Sequence, residues 1–522
     1  MAFTSINFLL FFGILIILYY ALPKKIQWVV LLVASYSFYL FSGIKYLAFI
    51  LFTTITTYCV TRFMDHNTSL HDAYIKEHKN EMSKAVRKEY KRQVKAQNRL
   101  WFIITIAANF GILFFCKACL VDPLHSVTDS SVISFLSVGL PFGISFYMFQ
   151  SMGYVIDVYR GKAKAELNFF KVALFVSFFP QLVQGPISKW DQLKDSLFSV
   201  HLFDRRQVAF GLERMLWGFF KKLVIADRIA VAIGTLKGTE YTGTSFFILT
   251  VFYAVQIYGD FTGGIDIAIG AGEVLGIKMP ENFIRPFFSK NIAEYWRRWH
   301  ISLNEWMKSY IFYPITVSGP MLQLALKARK RFGRFGMRLP VYIGSLLTWL
   351  GTGVWHGFNL HFIIWGLINC FVIVISEELA PAYTRFHERF AWSNTRWYDA
   401  FQIIRMFVLM NLIRATDLFN DVGDYFRRLG SLVWDINPAV LWNGTMSELG
   451  LEFYDYIILI IGIIIMFLVS LFSRDDVSVR VKMLKFPLAA RYVILAALLL
   501  AVILFGSYGI GYDASSFIYN QF

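Results

Sequence analysis

Apolar residues occur along most of this chain in runs long enough to cross a lipid bilayer. About ten to twelve runs are visible, and an α-helix needs about 20 apolar residues to span the hydrocarbon core. The sequence therefore predicts an all-α polytopic membrane protein. The clearest runs cover residues 8–20, 28–40, 46–60, 100–120, 132–155, 210–233, 245–275, 341–355, 361–375, 401–412, 456–472 and 492–510.

Several of these runs are imperfect as membrane spans. The run 401–412 is short, and the run 210–233 contains charged residues of both signs. Because an unpaired charge is costly in lipid, we expect such segments to be interfacial, re-entrant or shielded by other helices. The charged residues of the second run are Glu213, Arg214, Lys221, Lys222, Asp227 and Arg228.

Basic residues between the runs predict the orientation of the chain. The stretch 62–99 contains ten Lys and Arg residues at helical spacing, so we expect a solvated cytoplasmic helix there. Lys24 and Lys25 follow the first run, and five basic residues lie between positions 474 and 491, before the last run. Counting spans from these loops places both termini on the side of the membrane away from the cytoplasm. The first run lacks a basic leader and a cleavage site, so we interpret it as a retained helix.

Composition narrows the class of protein further. Of the 522 residues, 57% are hydrophobic and only 16% are charged, whereas soluble proteins contain about 25% charged residues. The net charge of +16 is distributed between apolar runs, which indicates topology and contact with anionic lipid rather than nucleic-acid binding. Cys116 and Cys119 end an apolar run and are interpreted as packing residues. Without repeats or low-complexity segments, the chain is predicted to be one membrane domain, 1–522.

Two histidines are the strongest candidates for chemistry. His356, in G-T-G-V-W-H-G, lies between two apolar runs, where an ionisable residue suggests a function. Burial favours its neutral form, which can accept a proton from a hydroxyl group, so we interpret it as a general base, with a hydrogen-bonded structural histidine as the alternative. His300 follows Y-W-R-R-W, which an interfacial helix explains, but the histidine itself is unexplained. No third ligand lies at metal-binding spacing beside them, so no metal site is expected.

Six ordered motifs carry a resemblance to a known family. They are P-F-G-I-S-F-Y (141–147), F-P-x-L-x-x-G-P (179–186), D-F-x-G-x-x-D (260–266), E-N-F-x-x-P (281–286), R-R-W-H-I-S-L (297–303) and W-H-G (355–357). Together they resemble the membrane-bound O-acyltransferase family over roughly residues 5–380, with a core at about 130–380 and extra helices at about 400–522. The chain is most similar to the bacterial branch of alginate, peptidoglycan and cellulose O-acetylation membrane subunits.

The resemblance implies a fold and a division of roles. It implies a ring of about 11 transmembrane helices, with re-entrant and interfacial helices, around a central tunnel. His356 would be the catalytic histidine and His300 the supporting one. Acetyl-CoA would be the acyl donor, with no permanently bound cofactor, and a cell-surface polysaccharide or an extracytoplasmic esterase-like partner protein would receive the acetyl group. Residues expected to support the tunnel are Trp355, Trp299, Asn304, Asp260 and Asp266.

A CoA donor also requires cations for its phosphates. The candidates nearest to His300 in sequence are Arg297, Arg298 and Lys308. Arg329 and Arg331 belong to an acid-free basic cluster, for which a purely topological role is the alternative. Two other functions stay open: D-alanyl transfer to teichoic acid from a carrier-protein thioester, and a non-enzymatic role in polysaccharide export or transport.

Overall fold

The secondary structure follows the apolar runs. The computed structural model describes residues 1–118, 141–238, 241–473 and 478–508, and within these ranges it contains helices and turns but no strands. The prediction of an all-α protein is confirmed. Parts of three predicted spans (100–120, 132–155 and 492–510), Cys119 and the C-terminal tail from Gly509 onward lie outside the described residues.

The helices are numbered in chain order over the described ranges. A π-helical turn, Phe220–Ala226, joins α9 to α10, and α15 contains a non-helical residue at Gly333. The helices are α1 Ile6–Ala21, α2 Gln27–Leu40, α3 Leu47–Glu77, α4 Lys84–Ala118, α5 Ile144–Tyr159, α6 Phe169–Ser177, α7 Phe179–Val183, α8 Trp190–Phe198, α9 Arg205–Phe219, α10 Asp227–Gly238, α11 Gly243–Val274, α12 Ile292–Arg298, α13 Ile301–Met307, α14 Tyr313–Thr316, α15 Gly319–His356, α16 Leu360–Arg389, α17 Arg396–Arg414, α18 Val422–Ser431, α19 Phe453–Phe472, α20 Val479–Met483 and α21 Leu488–Phe505.

Six helices in the described ranges are long and apolar enough to cross a membrane. The shorter α1 is also apolar. A multi-pass membrane protein is therefore supported, while the predicted count of about 11 spans stays a prediction. The six candidate spans are Ile44–Glu77, Lys84–Ala118, Gly243–Val274, Leu360–Arg389, Phe453–Phe472 and Leu488–Phe505.

The basic stretch 62–99 differs from its prediction. It is not one helix: α3 continues to Glu77, the chain turns, and α4 begins at Lys84. Side chains connect the two helices, with Asn67 Nδ2 2.8 Å from Asn98 Oδ1 and His71 Nδ1 2.8 Å from the Tyr90 hydroxyl. The charged residues continue the helical spacing of both neighbouring spans, so the pattern by itself did not reveal the break.

The chain forms two compact units, and the prediction of a single domain stays a prediction. The first unit comprises Met1–Ala209 and Ala271–Pro280. In it, Gln150 Nε2 donates to the Phe175 carbonyl (2.8 Å) and to Gln181 Oε1 (3.0 Å). Gln181 Nε2 in turn donates to the Pro186 carbonyl at 3.0 Å. The helix α5, which begins within the motif 141–147, therefore meets the motif 179–186 through buried amides, which require such partners in an apolar interior.

The second unit comprises Phe210–Gly270 and Glu281–Phe522 and contains every predicted site residue. Here α9 and α11 approach each other closely at two glycines. A Cβ added to Gly218 would lie 2.6 Å from the Gly263 carbonyl oxygen, and one added to Gly263 would lie 2.9 Å from that of Gly218. Only residues without a side chain allow this approach of two backbones.

Gly218→Ala should destabilise the protein, by about 1–3 kcal/mol, because the added methyl group forces α9 and α11 apart. Gly234→Ala is the matched control, since this helical glycine has open space around its Cβ position. The control should be neutral or slightly stabilising. Thermal unfolding of the full chain in detergent measures both, and equal midpoints for the two variants would contradict the close approach.

Candidate active site

His300 is held in an uncommon backbone conformation. It lies between α12 and α13 with φ 46° and ψ 52°, in the left-handed region that few residues other than glycine adopt. Asn282 stabilises this turn, because its Oδ1 accepts hydrogen bonds from the Ser302 amide and hydroxyl, both at 2.9 Å. The same oxygen lies 3.3 Å from His300 Nδ1, and the Asn282 carbonyl accepts from the Ile301 amide at 3.0 Å.

Aromatic rings enclose the His300 imidazole, which is 3% exposed. Phe261 meets it edge to face with ring centroids 4.9 Å apart, and Phe283 lies nearly parallel at 6.4 Å. His300 lies outside the six candidate spans. Burial, together with the positive charge of Arg414, lowers its pKa to about 3, so the imidazole is neutral at physiological pH.

His356 ends α15 and is half-buried. Its ring contacts those of Trp355 and Trp365, with centroids 4.9 and 5.0 Å away. Close packing of α15 against α16 creates this environment. A Cβ on Gly353 would lie 2.6 Å from the Phe362 carbonyl oxygen, so glycine is required at that position for the two helices to approach.

Trp355 brings the two predicted histidines into one cluster. Its ring centroid lies 4.9 Å from that of His356 and 6.2 Å from that of His300, and its side chain is 2% exposed. The cluster combines a deeply buried neutral imidazole with a second imidazole that has accessible surface. Such an arrangement can accept and return a proton in a region where indole and phenyl rings limit water.

Asp260 and Asp266 lie in buried ion pairs. Lys222, which is 1% exposed, pairs with Asp260 and also with Asp227, whose oxygen is 2.7 Å away. Lys221 lies 2.6 Å from Asp266. Both lysines belong to the π-helical turn, and both reach across to α11. These ion pairs explain how the run 210–233 can contain charged residues although it is otherwise apolar.

Arg214 connects this ionic network to the histidine turn. Its Nε lies 2.8 Å from Asp266, and its two terminal nitrogens bind both oxygens of Glu281 at 2.7 and 2.6 Å. Glu281 directly precedes Asn282, the residue that holds His300. No sequence pattern connects Arg214 to the histidines. The sequence shows only that Arg214 is one of several charged residues inside the apolar run 210–233.

The two remaining residues predicted to support the site surround the same turn. Trp299 packs against Tyr295 in a near-parallel stack at 5.7 Å and against the Phe283 ring at 4.9 Å. Asn304 donates its side-chain N–H to the Trp296 carbonyl, so it fixes α12 relative to α13.

The predicted cationic residues fall into three environments. The side chains of Arg297 and Lys308 are exposed at the surface, and the partial desolvation of the Lys308 ammonium, together with the nearby Arg297 charge, lowers the pKa of Lys308. Arg298 is engaged already, because its guanidinium lies 2.6 Å from Glu294. Arg329 and Arg331 are exposed on α15, before its break at Gly333, and no contact in the described part of the chain joins them to the histidines. The structure thus groups Arg297 with Lys308 alone.

Sequence reasoning missed Arg414, which lies at the end of α17. Its guanidinium carbon is 4.4 Å from the Trp299 ring centroid, and the residue is 7% exposed. The available signal was an arginine and an aspartate, Asp417, directly after the short run 401–412. The hydrophobic pattern of that run indicates only an imperfect span.

Comparison with known proteins identifies the family. The model of the membrane-bound O-acyltransferase family matches residues 31–324, and the chain belongs to this family of acyltransferases. The match includes His300 and ends before His356.

Individual relatives support the same assignment. The chain is 34% identical over 387 residues to a probable alginate O-acetylase of Pseudomonas putida, an alignment covering 73% of this chain and 71% of that protein. It is 28% identical to the peptidoglycan O-acetyltransferase of Helicobacter pylori, over 82% of each chain. The teichoic acid D-alanyltransferase of Bacillus subtilis is 27% identical over 60% of this chain and 76% of its own length. Alignments with other alginate O-acetylases cover about two thirds of those proteins, 64% in Pseudomonas syringae.

Lys222→Met should lower the free energy of unfolding by about 3–5 kcal/mol, because it leaves buried Asp260 and Asp227 without their counter-charge. Lys91→Met is the control, since Lys91 pairs with Asp72 at the surface, where both side chains are more than half exposed. That pair should contribute about 1 kcal/mol or less. Denaturant titration of the full chain in mixed micelles gives both values, and a small effect of Lys222→Met would show that the ion pairs are dispensable.

Proposed function

We propose that this protein transfers acetyl groups from cytoplasmic acetyl-CoA to hydroxyl groups of a cell-surface polysaccharide, directly or through an extracytoplasmic partner protein. The observation that carries the proposal is the cluster of His300 and His356 around Trp355. Membership of an acyltransferase family supports it, as do relatives named for alginate and peptidoglycan O-acetylation.

In the proposed reaction, His356 is the general base. Its half-buried imidazole has the accessible surface that a substrate hydroxyl needs. The imidazole accepts the hydroxyl proton while the oxygen attacks the thioester carbonyl carbon, and the C–S bond then breaks. The CoA thiolate leaves with the proton that His356 returns, and an acetyl ester forms on the acceptor. His300, fixed by Asn282, supports the site beside it.

Arg297 and Lys308 are the proposed binding residues for the CoA phosphates. Both side chains are exposed, and their positive charges are close enough to interact. Arg297 lies in α12 and Lys308 directly follows α13, and these two helices precede and follow His300. Arg298 has Glu294 as a partner, so we assign it a smaller part. Arg329 and Arg331 extend the basic surface, or act as topological anchors.

The proposal includes an arrangement in the membrane. The helices would form a ring of about 11 spans around a tunnel, supported by Trp355, Trp299, Asn304, Asp260 and Asp266. Both termini would lie outside a bacterial cytoplasmic membrane. The basic hairpin of α3 and α4 supports a cytoplasmic position for residues 62–99, since short basic loops stay inside.

D-alanyl transfer from a carrier-protein thioester is the competing reaction. The D-alanyltransferase of Bacillus subtilis aligns with 60% of this chain, against 73% and 82% for the two O-acetylation relatives. The larger coverage favours acetyl transfer. Both reactions need a base at His356, so the acyl donor distinguishes them.

His356→Ala should lower acetyl transfer by about 10²–10⁴-fold, because the variant lacks the general base. The assay follows radiolabelled acetyl-CoA in proteoliposomes of the full-length protein, with alginate or peptidoglycan fragments as acceptors. His361→Ala is the matched control, since it removes a different imidazole, a buried one, only five residues further along.

We expect the control to retain turnover and both variants to keep the wild-type unfolding midpoint. Turnover by His356→Ala at the wild-type rate would contradict the assignment of the base. Transfer from a D-alanyl carrier thioester, but not from acetyl-CoA, would replace the proposed donor.

Replacing Arg297 and Lys308 together by Gln should raise the KM for acetyl-CoA by about 10–100-fold, because two charge-assisted hydrogen bonds to phosphate are lost. The kcat should change little, since neither residue contacts the histidines. The paired control replaces Arg329 and Arg331 by Gln. A larger rise in KM for the control than for the first pair would move the CoA site to α15.

A further inference from the structure

Arg414 contributes a buried positive charge beside the proposed site. It is the last residue of α17 and is 7% exposed. A guanidinium in the interior of a membrane protein is costly unless other groups compensate its charge. The residue lies 90 positions beyond the end of the family match at 324. Packing in an apolar helix does not require an arginine, because a less polar residue could fill the same space. The reason for an arginine at position 414 must therefore lie in the groups around it.

The surroundings of Arg414 are the residues next to His300. The guanidinium stacks on Trp299, with 4.4 Å between its central carbon and the ring centroid. Tyr295 covers the same indole in a parallel stack and is hydrogen-bonded to Arg414. Trp299 is therefore fixed by a cation, by a phenol ring and by the Phe283 edge. Planar stacking of this kind is a property of arginine that lysine lacks.

A neighbouring acidic residue and a second helix complete the arrangement. Asp417 lies in the turn directly after α17, where burial raises its pKa to about 7 and the positive charge of Arg414 opposes that rise. Its carboxylate also accepts a hydrogen bond from Tyr253. Tyr253 belongs to α11, the helix whose Phe261 ring meets the His300 imidazole edge to face. Arg414 and Asp417 thus connect α17, α11 and the histidine turn.

We propose that Arg414 is a positioning residue of the acyl-transfer site, which orients His300 by clamping Trp299. The inference rests on the proposed function. Backbone geometry supports this role of Arg414, because His300 adopts a left-handed conformation immediately after Trp299. An indole that is free to rotate would let this turn relax, and the imidazole would lose its place beside Trp355. The positive charge of Arg414 also disfavours protonation of His300.

Arg414→Gln should lower kcat for acetyl transfer by about 100-fold, the loss expected for a misplaced active-site group. The KM for acetyl-CoA should stay near the wild-type value, because Arg297 and Lys308 are unchanged. Arg405→Gln is the matched control: this arginine lies on the same helix and contacts Phe401 and the Lys290 carbonyl. It should keep the wild-type kcat.

A second readout reports His300 directly. Diethylpyrocarbonate modifies accessible neutral imidazoles, and mass spectrometry of the full-length protein locates the modified histidines. Wild-type His300 should be protected by its burial, and Arg414→Gln should expose it to modification, whereas Arg405→Gln should not. Arg414→Lys, which keeps the charge without the planar stacking surface, should also increase labelling and tests the clamp if the Gln variant does not fold.

The outcomes separate this inference from the proposed function. Wild-type rate and protection in Arg414→Lys or Arg414→Gln, in a protein that transfers acetyl groups, would overturn the positioning role and leave the function intact. Labelling of His300 in the Arg414 variants, in a protein that does not use acetyl-CoA, would support the positioning role while the function fails.

Discussion

A charge inside a membrane protein must find a partner of opposite sign, and this requirement organises the second unit of the molecule. Arg214 satisfies it with Asp266 and Glu281, and Lys222 satisfies it with Asp227 and Asp260. These pairs fix α9 and the π-helical turn against α11. Because Glu281 adjoins Asn282, the network ends at the residue that sets the backbone at His300. Ion pairing thereby determines where an uncharged imidazole lies.

Backbone packing has the same importance for His356. His356 is the last residue of α15, and the glycines of this helix allow α16 to approach closely. The His356 ring is therefore enclosed by Trp355 and Trp365. The two histidines reach the cluster by different means, one through ionic and hydrogen-bonded contacts and the other through helix packing. Trp355 is the side chain that both imidazoles share. An acyl transfer that must exclude water is well served by this aromatic enclosure.

The segments after the family match contribute residues to the proposed site. The family model ends at residue 324, whereas His356, Trp365 and Arg414 all follow it. Relatives named for alginate, peptidoglycan and teichoic acid align with 73%, 82% and 60% of this chain. Acyl transfer is the property that their names share, and the acceptors differ.

The sequence alone determined the all-α membrane class, because the thickness of the hydrocarbon core imposes a run length that is visible in any chain that crosses it. It also indicated His300 and His356, since an ionisable residue among apolar ones is conspicuous. Only the tertiary structure decided that 62–99 is a hairpin, because a helix can continue from lipid into water without a change of period. It alone paired Arg214 with Glu281 and placed Arg414 on Trp299. Such contacts join residues that are distant in the chain, so no local pattern encodes them.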